Sequence, residues 1–314
     1  MKLFDTYRIV MLGEIHESRQ EHELLRKLIV APGFADKVND IVVEFGNSRY
    51  QGVVDRYVAG ENVPTEQVQK AWRDTEAIGP VSPIYGEFYN AVRLANQKLP
   101  KQRQLRVLLG DPPVDWEQVH RREDLGPFLP FRDQFYASVV RYEVIAKRRK
   151  ALLVMGSLHF QRNGGRPGAI ENELLASFVR PYVIMPGSNV VGGYDDIDRR
   201  FDQFPTPSLV EMKGNWLGDL QMAGGRGGPT TWAQTADAYL YLGPRDTLTL
   251  IRNPRSDLDG TPYGREIERR LTIMLDKAPE FLPKADEPTE RPAYTRASPG
   301  AAPPPPPPMP SPRP

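Results

Sequence analysis

The chain has 314 residues, 41 Lys and Arg against 40 Asp and Glu, a formal net charge of +1, 32 prolines, four histidines and no cysteine. That length suits one large domain or two ordinary ones, and balanced charge gives no global field to draw the chain to nucleic acid or an anionic membrane. Without cysteine there is no disulfide framework, thiolate nucleophile or cysteine-ligated metal. Any metal must be held by His, Asp, Glu or Tyr, and the histidines are only His16, His22, His120 and His159.

The first eight residues are interrupted by Asp5 and Arg8, so they do not read as the apolar core of a signal peptide. No stretch reaches the roughly 18 apolar residues of a membrane span. As written the chain reads as cytoplasmic, or as periplasmic or exported if a leader lies upstream. Short apolar runs then alternate with helical patterns. Ile9-Val10-Met11-Leu12 precedes a helix to about residue 30; Ile41-Val42-Val43 precedes a mainly helical stretch, 48–98. Leu105-Arg106-Val107-Leu108-Leu109 precedes a helix near 131–149, and Ala151-Leu152-Leu153-Val154-Met155 precedes one near 168–178. Tyr182-Val183-Ile184-Met185 and Ala238-Tyr239-Leu240-Tyr241-Leu242 follow. Apolar runs without alternation are strands buried on both faces, and their alternation with helices implies right-handed crossovers. The pattern predicts an α/β fold with a mostly parallel sheet flanked by helices, with a helical cap insertion (48–98) after the second strand.

Prolines concentrate at the end: residues 288–314 hold 12 of them, with an unbroken run at 303–308. Such a segment cannot bury enough apolar surface to offset its ordering entropy. The division expected is a domain over 1–282 and a disordered proline-rich tail over 283–314. Two further segments are discounted. Gly224-Gly225-Arg226-Gly227-Gly228 lacks the strand before it and the G-K-[ST] after it of a phosphate loop. The cluster Asp195, Asp196, Asp198 and Asp202, mixed with Arg199 and Arg200, lacks calcium-loop spacing.

In open α/β sheets the ligand site lies beyond the carboxyl ends of the strands. The first run ends Gly13-Glu14-Ile15-His16, the second reaches Glu44, the third ends Gly110-Asp111-Pro112-Pro113, and the fourth ends Gly156-Ser157-Leu158-His159. Four successive strands thus deliver acids and histidines to one edge. Glu14 and His16 share a strand face. Ser18 and Glu21 form the S-x-x-E pattern of a capping box, which starts the next helix there. His22 lies on that helix's apolar face with Leu25 and Ile29, and Arg19 lies one turn nearer the site. Several carboxylates buried together need a metal, a cation or a shared proton. His120, among Arg121, Arg122, Glu123 and Asp124, reads as solvated.

At Gly13-Glu14-Ile15-His16, with His22 six residues on and Gly156-Ser157-Leu158-His159 later, the chain resembles a superfamily. It groups haem-binding ChaN-like proteins, Tiki/TraB proteases and erythromycin esterases, the ChaN-like branch being most similar. The resemblance covers about residues 8–180. It implies one of two chemistries. In the hydrolases, Glu and His at these strand ends activate water, with a divalent metal in the Tiki-like branch; in the other branch a similar pocket holds haem, sometimes in a dimer.

The first expectation is a hydrolase of an ester or peptide bond acting on a small molecule or peptide. His16 or His159 would be the general base and the other the acid or a metal ligand; Glu14 and Glu44 would orient the imidazoles, and Arg19 would stabilise an oxyanion. A metal (Mn, Zn or Fe) would use Glu14, His16, Asp111 and His159. The alternative is a haem- or iron-binding protein, with His22 and Tyr50 as cofactor residues and Tyr85, Tyr89, Trp72 and Phe88 lining the slot. A homodimer is compatible with either.

Overall fold

The computed structural model describes residues 1–76, 81–162, 166–186, 200–201, 204–225, 228–275 and 287–293. A seven-stranded sheet organises it: β1 (Ile9–Glu14), β2 (Asp40–Asn47), β3 (Arg106–Asp111), β4 (Ala151–Gly156), β5 (Tyr182–Pro186), β6 (Ser208–Glu211) and β9 (Ala238–Tyr241), in the spatial order β3-β2-β4-β1-β5-β9-β6. Every neighbour pair is parallel except β6 with β9. β7 (Gln221–Gly225) pairs with β8 (Gly228–Thr231), and β10 (Thr249–Ile251) with β11 (Glu290–Pro292), as separate antiparallel ribbons.

The six predicted runs are strands because each side chain along them has an apolar partner. Val10, Leu12, Ile41, Val43, Val107, Leu109, Leu152 and Val154 face one core; Ile9, Met11, Val42, Leu108, Leu153 and Met155 face the other. The period of two therefore separates two cores, not core from solvent. Helices close both layers. The first core is covered by α2 (Arg19–Val30), α4 (Gln51–Val58), α5 (Thr65–Arg73) and α6 (Ile84–Asn96), with short α1 (Leu3–Thr6) and α3 (Phe34–Lys37) beside them. The second is covered by α7 (Arg132–Val139), α8 (Ser157–Phe160) and α9 (Ala169–Ala176). Residues 140–145 prolong α7 as a π-helical turn. α10 (Pro262–Leu275) packs Ile273 and Met274 on the segment after β3, against Val114, Trp116, Val119 and Leu125.

The helical insertion after β2 does two things. Its α4 and α6 bury their apolar faces on the sheet, α6 lying against α2, while the turn after α5 reaches over the strand ends. There the Asn47 amide donates to the Asp74 and Val114 carbonyls, and the Trp116 indole donates to the Thr75 carbonyl.

Glu290–Pro292 form β11, held by the ladder to β10 and by a two-point ion pair from Arg19; composition alone hid a strand of three residues. The proline run at 303–308, the acidic cluster at 195–202 and Arg226 lie outside the described residues.

Candidate active site at the carboxyl edge of the sheet

β1 and β4 are in register with Glu14 opposite Gly156, and the Ser157 hydroxyl donates to the Glu14 carbonyl at 3.1 Å. This pairing puts the G-E-x-H and G-x-x-H segments side by side. After Glu14 the chain turns sharply: Glu17 adopts φ 66°, a left-handed conformation that a non-glycine residue holds only when its surroundings over-determine it. The surroundings are β10 and its flanks. The Ile251 amide donates to the Glu17 carbonyl at 2.9 Å, and Arg252 pairs with the Glu17 carboxylate at 2.8 Å. Burial pushes the Glu17 carboxyl up to about 7, against the pull of Arg252.

Glu14 is buried between two imidazoles. His16 Nδ1 lies 2.9 Å from Glu14 Oε2, and His22 Nε2 lies 2.7 Å from Glu14 Oε1. Burial alone would raise this carboxyl; the hydrogen bonds from His16 and His22 win and hold it near 2. The bond to Glu14 likewise raises His16 to about 9, against a smaller opposing effect of burial. The His16 side chain is 58% exposed, while that of His22 is 1% exposed, packed against Phe45 and Tyr85. Ser18 caps α2 by accepting from the Glu21 amide at 3.4 Å, as predicted. The return half of the box differs: Glu21 accepts from the Ile15 amide at 2.8 Å, because the turn at Glu17 brings Ile15 nearer than Ser18.

Glu44 enters from β2, where the register with β3 slips between Val43 and Asn47, an irregularity that re-aims side chains. One Glu44 oxygen accepts from the Gly156 amide; the other meets Arg132 Nη2 at 2.5 Å. Arg132, the first residue of α7, also binds Glu76 at 2.7 Å and Asp111 at 2.8 Å. It is the cation that the buried acids require. Burial lowers the pKa of its guanidinium, and the charges of Glu44, Asp111 and Glu76 more than reverse this. Asp111, despite Arg132, is pushed up to about 7 by burial. His159 sits in the single turn of α8, with Nδ1 2.6 Å from Asp133 Oδ1 and Nε2 3.8 Å from Glu44 Oε1.

The structure therefore brings Glu14, His16, His22, Glu44 and His159 to one place. Asp111 belongs to the Arg132 ion-pair network beside them. Arg19 does not reach the site: it faces outward, bound to Glu290 at 2.6 and 2.8 Å, because Ser18 begins α2 with its first side chain directed toward β11. Tyr50 is also elsewhere. Its hydroxyl donates to Asp74 at 2.8 Å, and it lines a cavity of about 960 Å³ walled by charged groups including Arg73, Glu266, Arg269 and Arg270. None of Glu14, His16, Glu44 or His159 lines that cavity. Three residues of the site, Arg132, Asp133 and Glu76, have no strand-end signal in the sequence.

Glu14, His16 and Glu44 offer one ligand-type atom each within 4.8 Å of one another. As arranged, their oxygens already have partners and a cation beside them. All four carboxylate oxygens already accept hydrogen bonds, from His16, His22, Arg132 and Gly156, and the Arg132 guanidinium supplies the positive charge. Haem fits no better among the described residues. Trp72, Tyr85, Phe88 and Tyr89 are core side chains packed with Phe45 and one another, and the cavity at Tyr50 is ionic where a porphyrin needs an apolar slot.

No family model and no curated protein matches the chain; the likenesses are to solved structures. A mutant of the erythromycin esterase EreC in its open conformation is 12% identical, with 77% of this chain and 91% of that chain covered and a TM-score of 0.52. A succinoglycan biosynthesis protein is 9% identical, covering 77% and 89%, with a TM-score of 0.53. The haem-binding ChaN of Campylobacter jejuni is 14% identical over 61% and 85%, at a TM-score of 0.40. The first two likenesses show a shared α/β fold. Among the described residues, no helix is long and apolar enough to cross a membrane.

Proposed function

We propose that the protein is a metal-independent hydrolase of an acyl bond, ester or peptide, with His159 as general base and His16 as general acid. One observation carries this reading: two histidines, each with Nδ1 on its own carboxylate, flank Glu44 from β1 and from the end of β4. His159 takes the proton of a water held beside Glu44. His16, an imidazolium at neutral pH, gives a proton to the departing group. Glu14, fixed by His22, keeps His16 charged; Arg132 holds Glu44 in place and offers positive potential to a developing oxyanion. The erythromycin esterase of similar fold supports an acyl substrate, and the bound state of the carboxylate oxygens supports a mechanism without metal.

The test is a panel of aryl esters, lactones and peptides, assayed with and without a chelator. Wild type is expected to hydrolyse at least one class equally in both conditions. His159→Ala and His16→Ala are each expected to lose at least about a hundredfold in kcat, the usual scale for general acid–base groups. Stoichiometric Mn, Zn or Fe whose removal abolishes turnover would overturn the metal-free step. A Soret band on adding haem, lost in His16→Ala, would replace the hydrolase reading altogether.

A further inference from the structure

We propose that Asp133 is a positioning residue that fixes the tautomer of His159, so that the Nε2 lone pair, and not an N–H, faces Glu44. The inference rests on the hydrolase reading for its catalytic consequence, but its structural content stands on Asp133 itself.

Arg132 and Asp133 open α7, and neighbours on a helix diverge by about 100°. The pair therefore serves two different partners. Arg132 turns to Glu44, Glu76 and Asp111, whereas Asp133 turns to the α8 turn and places Oδ1 2.6 Å from His159 Nδ1. An acid in the first turn of a helix ordinarily serves the helix dipole. Here a carboxylate oxygen is instead spent on an imidazole of another element. A carboxylate only accepts hydrogen bonds, so His159 Nδ1 must be the protonated nitrogen in this contact. In the neutral ring that leaves Nε2 as the lone pair, and Nε2 is the atom on the Glu44 side, 3.8 Å from Oε1.

The arrangement repeats that of the first histidine. Glu14 holds His16 at Nδ1 from β1, and Asp133 holds His159 at Nδ1 from α7. The two carboxylates differ in burial, since the Glu14 side chain is 1% exposed and that of Asp133 is 26% exposed. Glu14 accordingly locks a charged imidazole, whereas Asp133 orients one that must shed and regain a proton. Asparagine at 133 would keep the shape, yet its amide N–H can donate to Nδ1. The ring proton would then move to Nε2, where no proton can be accepted from water.

With four histidines in the chain, the tautomers are directly readable. Long-range proton–nitrogen correlation spectra of the full chain, at alkaline pH, are assigned by difference with His159→Gln. The wild type is expected to show Nδ1 protonated and Nε2 bare. Asp133→Asn is expected to show the reverse, and Asp133→Glu to restore the wild-type pattern. Where an acyl substrate has been found, Asp133→Asn should lower kcat at unchanged KM. The loss should lie between about tenfold and the roughly 10⁴-fold of the corresponding change in Ser–His–Asp sites. An Nε2–H tautomer in the wild type overturns the proposal without any variant, and so does a tautomer unchanged in Asp133→Asn. A flipped tautomer in a protein that hydrolyses nothing supports the role of Asp133 while removing the hydrolase.

Discussion

At the scale of single residues, the site is a pair of charges held by hydrogen bonds, and its pH dependence follows from their direction. His16 is raised from 6.5 to about 9. Its contribution to stability is complete below the ordinary value and is lost as pH climbs through about 9. Glu14 is lowered from 4.5 to about 2, so its contribution is present above 4.5 and is lost as pH falls through about 2. If His16 is the acid, kcat/KM should fall on an alkaline limb near pH 9. Glu14→Gln should move that limb to lower pH, and a limb that stays in place would remove His16 from the role. Gly156 makes a second case. A Cβ there would lie 2.8 Å from His16 Nε2 and 3.2 Å from Glu44 Oε2, too close for His16 to remain. Gly156→Ala should reduce turnover at least tenfold while the melting temperature shifts little, since the displaced atoms are the end of a mobile side chain; a thermal melt beside a rate measurement decides it.

Glu14, His16, Glu44, Asp111 and His159 were visible in the sequence because each follows or ends an apolar run, and the sheet makes those ends neighbours. Arg132 and Asp133 gave no such signal. A charged pair opening an amphipathic helix is usually solvated, and only the tertiary fold turns it inward. Arg19 misled for the same reason: position on a helix states which turn a residue occupies, and not whether β11 stands opposite it.

Among the elements, β10 and β11 carry more than their three residues each suggest. Gln20 donates to the Thr247 carbonyl at 2.8 Å and accepts from the Thr249 amide at 3.0 Å. Thr249 in turn donates to Glu290 at 2.7 Å, and Arg19 and Arg252 complete the clasp. Exposed ion pairs contribute little to global stability, so the ribbon's role is local. Glu290→Ala should leave the melting transition nearly in place, while amide hydrogen exchange over 15–20 quickens and turnover drops severalfold. Exchange no faster than in the wild type would show that the loop holds its shape unaided. This ribbon was illegible beforehand because three-residue strands carry no periodicity, and the second of them stands in proline-rich sequence.

Over the whole molecule, the sheet was legible and its antiparallel edge strand was not. The first four strands, β5 and β9 announce themselves as unalternating apolar runs, which only a sheet covered on both faces can bury. β6, at the antiparallel edge, reads Ser-Leu-Val-Glu with half of it exposed, so nothing in its composition marks it as part of the same sheet. α10 likewise escaped notice. Its buried Arg270, bound to Asp74 and Glu266 and lying over the Trp116 ring, breaks the apolar stripe by which a helix is recognised.

The clasp on the turn after β1 spans the chain: Arg19 and Glu290 are 271 residues apart. A ribosome delivers the N-terminal side of such a contact first. The turn bearing His16 and Glu17 therefore leaves the exit tunnel long before the ribbon that steadies it. Nascent chains can assemble β1 to β5 while the turn after β1 still lacks its clasp. The clasp closes only once Glu290 has been translated.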